Sequence, residues 1–257
     1  MDVLIFGGQS NMQGQSEALT ETEAVRGGYE YRLLSDEILP LKNPVGEDIT
    51  YEGTAGIRFG RGIDQRAWLT CHVAGSACYG HTNLVPEFCR AYLRASGREA
   101  LAVHVAKGST VIADWLPGTP GYEIILRKAG AAIKKCAECE RIFFVWLQGE
   151  SDAIQKTDKA TYKQRLTALC RALKRDLGIE RFCIIRVGRF TNDARDLEII
   201  AAQDELCAEN PDFLMLTTLA TTLNTQAEAM NPQVGGHYSA RGLEQLGREA
   251  GKQLGRF

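Results

Sequence analysis

A serine flanked by side-chain amides follows the first apolar run of the chain. Val3–Phe6 is predicted to be a buried strand, and Gly7 and Gly8 let the backbone turn sharply before Ser10. A serine at the carboxyl end of a parallel strand is exposed at the sheet edge, where open α/β folds bind their ligands. Ser10 is therefore a candidate nucleophile. The alternative is an ordinary strand-to-helix turn in which Ser10 caps the helix.

His237 is the histidine best placed to accept a proton from such a serine. It lies in a glycine-rich turn after the fifth apolar run, and we expect that turn at the same sheet edge as Ser10. His104 lies inside a predicted strand and is expected to be a core residue, whereas His72 and His81 fall in an irregular region. A histidine beside a serine can act as the general base for nucleophilic attack.

Two further polar segments follow predicted strands. Gly108 comes shortly after the second apolar run and can present its backbone N–H to a ligand without an intervening side chain. Gln148, Glu150 and Asp152 follow the third run. Polar side chains at the end of a buried strand are costly unless they are solvated or used. Each segment by itself is also compatible with a simple solvated loop.

Apolar runs that alternate with helical periodicity predict the elements that position these residues. Strands that are apolar throughout imply a parallel sheet buried on both faces. Residues 26–80 are rich in glycine, proline and charge, so we expect an elaborated loop region there, within one domain that spans residues 1–257. The predicted strands are Val3–Phe6, Leu101–Ala106, Ile142–Leu147, Phe182–Val187 and Phe213–Leu219, and the predicted helices are Leu84–Leu93, Ile124–Cys136, Tyr162–Leu177, Leu197–Cys207 and Leu243–Leu254.

The composition is that of an ordinary globular protein. The chain has 257 residues, of which 44% are hydrophobic and 24% charged, and this length suits one large α/β domain. A formal net charge of −2 gives no electrostatic argument for nucleic acid. No stretch reaches the roughly 20 apolar residues that cross a bilayer. Because the chain opens on its first strand without a signal peptide, we expect a cytoplasmic protein with neither a nucleic-acid nor a membrane partner.

The cysteines could form a disulfide set, but buried thiols are the preferred interpretation. All 8 are expected to be buried thiols in a chain of this length without a leader. Cys136 and Cys139 have the spacing of a redox or zinc pair, but no second pair matches them. We therefore expect no metal.

Four short segments, taken in order along the chain, form a distinctive set. They are Gly8-Gln9-Ser10-Asn11-Met12, then Gly108-Ser109-Thr110 with Trp115 following, then Gln148-Gly149-Glu150-Ser151-Asp152, and finally the His237 turn. Together they resemble the SGNH hydrolase superfamily, and within it the sialate O-acetylesterase and acetylxylan esterase branch, carbohydrate esterase family six. The resemblance implies a flavodoxin-like three-layer α/β/α sandwich with a five-stranded parallel sheet. It also implies a hydrolase that removes acetyl esters from sugars without a metal or organic cofactor.

The resemblance assigns roles to individual residues as well. It implies that Ser10 is the nucleophile, with His237 as its base. The oxyanion donors would be the backbone N–H groups of Ser10 and Gly108 and the side-chain amide of Gln148. The residues expected to bind substrate are Gln9, Asn11 and Ser109.

One position departs from the family pattern. An aspartate usually lies three residues before the histidine, where its carboxylate orients the imidazole. Here that position is Val234, and no carboxylate lies between Met230 and His237. Glu150 is the preferred replacement because the resemblance already places it in the site. The alternatives are that a backbone carbonyl orients the imidazole or that the orienting group is absent. Loss of the orienting acid from a working triad costs about four orders of magnitude in turnover.

Three functions are compatible with these residues. The leading hypothesis is a serine esterase that removes O-acetyl groups from a carbohydrate through an acetyl-enzyme intermediate. The second is a short-chain acyl esterase acting on a non-sugar ester. The third is a catalytically weakened relative that only binds carbohydrate, which Val234 favours and an intact Ser10–His237 pair argues against. The expected partner is an acetylated sugar or another small ester, and neither the sugar nor the oligomeric state follows from the sequence.

Overall fold

The computed structural model describes residues 1–16, 23–48, 63–64 and 82–257. The strands of this part are β1 (Asp2–Gly8), β2 (Gly28–Arg32), β3 (Glu37–Pro40), β4 (Glu47–Asp48), β5 (Ile63–Asp64), β6 (Ala100–His104), β7 (Ile142–Leu147), β8 (Arg181–Ile185) and β9 (Phe213–Thr217). They form a seven-stranded sheet in the order β3-β2-β6-β1-β7-β8-β9 and a two-stranded ribbon of β4 with β5. In the larger sheet every neighbouring pair is parallel except β2 with β3.

Helices cover both faces of this sheet. They are α1 (Ser10–Gln13), α2 (Val85–Ser96), α3 (Pro120–Lys135), α4 (Glu150–Ile154), α5 (Lys159–Leu177), α6 (Ala194–Glu209), α7 (Leu219–Leu223) and α8 (Ala240–Gly255). One layer is built around α2 and α8, which pack against each other, and the other around α3, α5 and α6. The predicted α/β class, with a mostly parallel sheet between two helical layers, is confirmed.

The last helix owes its position to small residues on the side that faces α2. Ser239 begins α8 by accepting a hydrogen bond from the Gly242 N–H, which satisfies one of the free donors at the helix start. A Cβ atom added at Gly251 would lie 2.0 Å from the Phe88 carbonyl oxygen, and one at Gly247 would lie 2.4 Å from that of Leu84. The two helices therefore approach to backbone contact, which fixes where α8 starts and where the preceding His237 turn lies.

The sheet has seven strands among the described residues, so the predicted number of five is wrong. All five predicted strands are present, and the two additional ones, β2 and β3, lie in the interval that was expected to be a loop region. Neither has the apolar pattern of a central strand. β2 buries Glu30, whose carboxylate accepts from the Gly46 N–H at 2.8 Å, and β3 is an edge strand with partly exposed side chains. The remainder of the loop interval lies mostly outside the described residues.

The central position of β1 determines where a site can form. β1 is buried along its whole length and pairs with β6 on one side and β7 on the other. Because these strands and β8 are parallel, their carboxyl ends meet at one edge of the sheet. The segments that leave this edge are residues 9–14, 105–111, 148–154 and 186–193, which include most of the sequence-predicted site.

Two further expectations concern membranes and cysteines. None of the helices in the described part is both long and apolar enough to cross a membrane. Cys89, Cys136, Cys139, Cys170, Cys183 and Cys207 are free thiols, and Cys71 and Cys78 lie outside the described residues.

Candidate active site

Ser10 lies at the first turn after the central strand. Gly8 ends β1 with φ +146°, and a Cβ atom there would lie 2.1 Å from the Leu147 carbonyl oxygen, so only glycine fits. The chain then turns directly into α1. Ser10 is the first residue of that helix and Gln9 occupies the N-cap position. Ser10 is thus not the N-cap, and its hydroxyl is available for another partner.

That partner is His237. Its Nε2 atom lies 2.8 Å from the Ser10 Oγ atom, although the two residues are 227 positions apart in the chain. A tight turn presents the ring: the His237 backbone N–H donates to the Val234 carbonyl, and its carbonyl accepts from the Asn231 N–H. The structure therefore brings together the serine and the histidine that the sequence singled out.

The far nitrogen of the imidazole contacts a backbone carbonyl. His237 Nδ1 lies 2.9 Å from the Gly235 carbonyl oxygen. A carbonyl can only accept, so Nδ1 carries the proton and Nε2 is left as the acceptor for the serine hydroxyl. Burial lowers the pKa of His237 below its ordinary value, and the backbone hydrogen bonds oppose this shift only in part. The neutral, proton-accepting ring is thus the favoured form near neutral pH.

Glu150 does not take the place of the missing aspartate. Its Oε1 atom accepts a hydrogen bond from Asn11 Nδ2 at 2.8 Å, and within the described residues no hydrogen bond joins it to His237. The preferred expectation for the orienting group is therefore wrong, and a backbone carbonyl lies in its stead. Burial raises the pKa of Glu150, and the hydrogen bond from Asn11 offsets only part of that rise.

Of the two backbone N–H groups expected to be oxyanion donors, one is free of an acceptor among the described residues and the other has one. The Ser10 N–H, at the first position of α1, has no acceptor among the described residues. The Gly108 N–H donates at 2.9 Å to the side-chain oxygen of Gln13, one helical turn after Ser10. A Cβ atom on Gly108 would lie 3.4 Å from the Ser10 Cβ, so the loop after β6 passes directly beside the serine.

Gln148 does not offer its amide to this site. Its Nε2 atom donates to the Thr110 carbonyl at 3.0 Å and to the Asp152 carboxylate, and its Oε1 atom accepts from the Tyr162 hydroxyl at 3.1 Å. The side chain is fully buried. Both amide hydrogens are thus used to join the loop after β6 to the turn after β7. The expectation of Gln148 as an oxyanion donor is not met by this arrangement.

Of the three residues expected to bind substrate, two are buried and one is exposed. Gln9 is buried, and its Oε1 atom accepts from the Ser151 N–H at 3.2 Å. Asn11 is buried, and besides its bond to Glu150 it accepts from the Tyr238 N–H at 3.3 Å. These two side chains join parts of the protein to one another, in contrast to the expectation. Ser109 is exposed and has φ +63°, so among the three it is the one that faces outward.

Sequence reasoning missed two side chains that contact the site. Gln13 occupies the Gly108 N–H, and Phe190 lies edge-on to the His237 ring with 5.7 Å between ring centroids. Phe190 also packs on the histidine turn, since a Cβ atom on Gly236 would lie 2.2 Å from its ring. Phe190 follows β8, and its position after a parallel strand was the available signal.

Chemically, this arrangement is a serine hydroxyl in contact with an oriented imidazole, beside a loop whose Gly108 N–H donates to the Gln13 side chain. Such a pair can transfer a proton from serine to histidine while the serine oxygen attacks an electrophilic carbon. The described residues include no group of three or more side chains that could hold a metal ion.

Comparison with known proteins agrees with this chemistry. Residues 1–255 match the family model described as carbohydrate esterase, sialic acid-specific acetylesterase. A probable carbohydrate esterase of Arabidopsis thaliana is 24% identical over 234 residues, which cover 85% of each chain.

Solved structures show the same fold. The structure of the Arabidopsis thaliana protein has a TM-score of 0.66 at 17% identity and covers 98% of this chain and 97% of its own. NanS has a TM-score of 0.67 at 15% identity, with 98% and 96% covered. A lipase/acylhydrolase from Enterococcus faecalis has a TM-score of 0.51 at 15% identity, with 99% and 96% covered. By its sequence along nearly its whole length, the chain belongs to the carbohydrate esterase, sialic acid-specific acetylesterase family, whose members are hydrolases of ester bonds.

Proposed function

We propose that this protein removes O-acetyl groups from an acetylated sugar through an acetyl-enzyme formed on Ser10. The observation that carries the proposal is the 2.8 Å contact between Ser10 Oγ and His237 Nε2, with Nδ1 held by the Gly235 carbonyl. The tautomer that this carbonyl selects is the one that can accept the serine proton. Membership of the carbohydrate esterase family supports an acetylated sugar as the substrate.

The first half-reaction forms the acetyl-enzyme. As Ser10 Oγ bonds to the acetyl carbonyl carbon, its proton passes to His237 Nε2, and the carbonyl oxygen becomes an oxyanion. When this intermediate collapses, the bond from carbon to the sugar oxygen breaks and the departing oxygen takes the proton from His237. In the second half-reaction water attacks the acetyl-enzyme, His237 accepts the proton of water and returns it to Ser10 Oγ, and acetate leaves.

The Ser10 and Gly108 backbone N–H groups are the proposed oxyanion donors. The Gly108 N–H already donates to Gln13 Oε1 at 2.9 Å, so the oxyanion must displace the Gln13 side chain to use it. An oxyanion is a stronger acceptor than a neutral amide oxygen, since hydrogen bonds to charged groups are roughly twice as strong. The exchange therefore favours the charged intermediate over the neutral ester, which is the direction that lowers the barrier.

The base works as the second member of a dyad. A neutral carbonyl can orient the imidazole just as a carboxylate can. It stabilises the imidazolium less, because it carries no full charge. We accordingly propose an active enzyme that is slower than one with an aspartate at position 234.

The test is a screen of O-acetylated sugars, with acetylated sialic acid included and released acetate measured. The wild type should release acetate, and Ser10→Ala should lose at least about 10³-fold in turnover with its melting temperature nearly unchanged. A fluorophosphonate probe should label the wild type at Ser10. If no acetylated sugar is hydrolysed but p-nitrophenyl acetate is, the substrate is a non-sugar ester. If neither is hydrolysed and the probe does not react, the proposed function is wrong.

A further inference from the structure

Two neighbouring contacts join the first turn of the chain to the histidine turn. Ser10 and Asn11 are consecutive, and so are His237 and Tyr238. Ser10 Oγ lies 2.8 Å from His237 Nε2, and the Asn11 Oδ1 atom accepts from the Tyr238 backbone N–H at 3.3 Å. The second contact involves no atom that takes part in the proposed reaction. It joins the two segments that carry the reacting atoms.

The Asn11 side chain is itself held by Glu150. Asn11 Nδ2 donates to Glu150 Oε1 at 2.8 Å, and the two residues are 2% and 4% exposed. Glu150 begins α4 directly after β7, and α4 packs against α6. A side chain on this rigid base orients the Asn11 amide so that its oxygen points to Tyr238. The three residues form a chain from the core to the histidine turn.

The histidine turn needs such a support. It contains Gly235 and Gly236, which restrict the backbone less than other residues do, and residues 232, 233 and 235 are exposed. It also lacks the carboxylate that would hold the ring from the other side. Tyr238 directly follows His237 and is buried. Its hydroxyl donates to the Ala220 carbonyl at 3.2 Å.

We propose that Glu150 and Asn11 are positioning residues, which hold Tyr238 and thereby keep His237 Nε2 within reach of Ser10 Oγ. This inference rests on the proposed function of the Ser10–His237 pair. It gives Glu150 and Asn11 a role different from both earlier expectations, because neither orients the imidazole directly nor touches substrate.

The feature of Glu150 that matters in this role is one acceptor oxygen and not its charge. Oε1 receives the Asn11 hydrogen bond, whereas Oε2 is buried without a hydrogen-bond partner. A buried carboxylate oxygen without a partner is costly, and the bond from Asn11 needs only an acceptor oxygen at this place. A glutamine would keep the acceptor at the same place.

The test compares Glu150→Met with Glu150→Gln, two uncharged side chains of similar length, with and without the acceptor. We expect Glu150→Met to lower kcat by about 10²-fold with little change in KM, because a misplaced base slows the chemistry by about that much. Glu150→Gln should recover most of this loss. Asn11→Leu should behave as Glu150→Met does, and the double variant should be no worse than either single variant.

Three outcomes of the kinetic measurements would overturn the proposal. If Glu150→Gln loses about 10³–10⁴-fold, as expected for an orienting acid, the charge is what matters. If Asn11→Leu raises KM and leaves kcat unchanged, Asn11 binds substrate. If either variant lowers activity further in a His237→Ala background, it does not act through the histidine.

The design also separates positioning from general destabilisation and from failure of the proposed function. Asp2→Asn removes a buried carboxylate at the opposite end of β1, and it should lower the melting temperature without changing kcat. The imidazole nitrogens of His237 can be followed by NMR without any substrate. Glu150→Met should weaken the signature of the hydrogen bond between His237 and Ser10, and Glu150→Gln should keep it. An unchanged signature in Glu150→Met would contradict the positioning role even if the wild type proves to have no esterase activity.

Discussion

His237 Nδ1 lies 2.9 Å from the carbonyl oxygen of Gly235, two residues earlier in the same turn. The turn therefore supplies its own acceptor and selects the imidazole tautomer without a third side chain. This contact resolves what Val234 left open, since the position that usually carries the orienting aspartate has no polar atom in its side chain. The proposed base, His237, is therefore oriented by a neutral group, and this affects its pKa and the rate of the proposed reaction.

The acid limb of the pH–rate profile should lie below the ordinary histidine value. Burial lowers the pKa of His237 from 6.5, so the neutral ring that accepts the serine proton persists to lower pH. We expect kcat/KM for an acetyl ester to fall only below about pH 6.5. A profile from pH 4 to 8, with a substrate that does not titrate in this range, measures the limb. An acid limb above pH 6.5 would show that an unrecognised negative group stabilises the imidazolium.

A carboxylate placed at position 234 should strengthen the base. In Val234→Asp the new carboxylate would offer Nδ1 a charged acceptor, which raises the pKa of His237 and moves the acid limb to higher pH. A charged acceptor is worth about 1 kcal/mol more than a neutral one, so kcat should rise about 5-fold. Val234→Asn is the matched control, because it has the same shape without the charge and should leave both quantities close to the wild type. Equal effects of the two variants would show that charge is not the missing element.

Removal of the Gln13 amide should free an oxyanion donor. Gln13 Oε1 accepts the Gly108 N–H at 2.9 Å, and Gln13→Met keeps the length of the side chain but abolishes this bond. Because a hydrogen bond contributes about 1 kcal/mol net, we expect kcat/KM to increase about 5-fold. Steady-state kinetics with p-nitrophenyl acetate checks the prediction. A decrease would mean that Gln13 is needed to hold the loop after β6 in position.

The amino end of β1 should contribute stability that depends on pH. Burial alone would raise the pKa of Asp2, but hydrogen bonds from Arg98, Arg141 and Tyr92 outweigh it and lower that pKa to about 2. A lowered carboxylate pKa stabilises the fold at pH values above 3.8, its ordinary value, and this contribution is lost as the pH falls through about 2. Asp2→Asn should therefore cost about 2 kcal/mol in the free energy of unfolding at pH 7, as the size of the shift implies.

Urea unfolding of the wild type and Asp2→Asn at pH 7 and at pH 3 measures this difference. The gap between the two proteins should shrink at the lower pH, where part of the Asp2 carboxyl is protonated in the unfolded chain. A gap that stays constant from pH 7 to pH 3 would show that the variant acts through packing and not through the ionised carboxylate.

Local patterns were sufficient for the central part of the fold. β1, β6, β7, β8 and β9 are each a short apolar run, and this pattern belongs to strands buried on both faces. β2 and β3 were not predicted because neither shows that pattern. β2 buries Glu30, and β3 is a partly exposed edge strand. The Glu30 carboxylate can be buried because it accepts hydrogen bonds from the Gly46 N–H and from the Arg32 guanidinium. Gly46 is distant in sequence, and the rotamer of Arg32 cannot be predicted from the sequence.

The order of strands, turns and helices along the chain was enough to predict which segments meet. Ser10 follows a strand of the parallel sheet, and His237 precedes the last helix. The connections of such a sheet bring both segments to one edge. Which polar atoms pair at that edge could not be predicted in this way. Glu150, Gln148 and Gln13 all follow strand ends near the site, yet the first holds Asn11, the second holds Thr110 and Asp152, and the third occupies the Gly108 N–H. A hydrogen bond requires placement within a few tenths of an ångström, and such placement depends on the packing of the whole sheet edge.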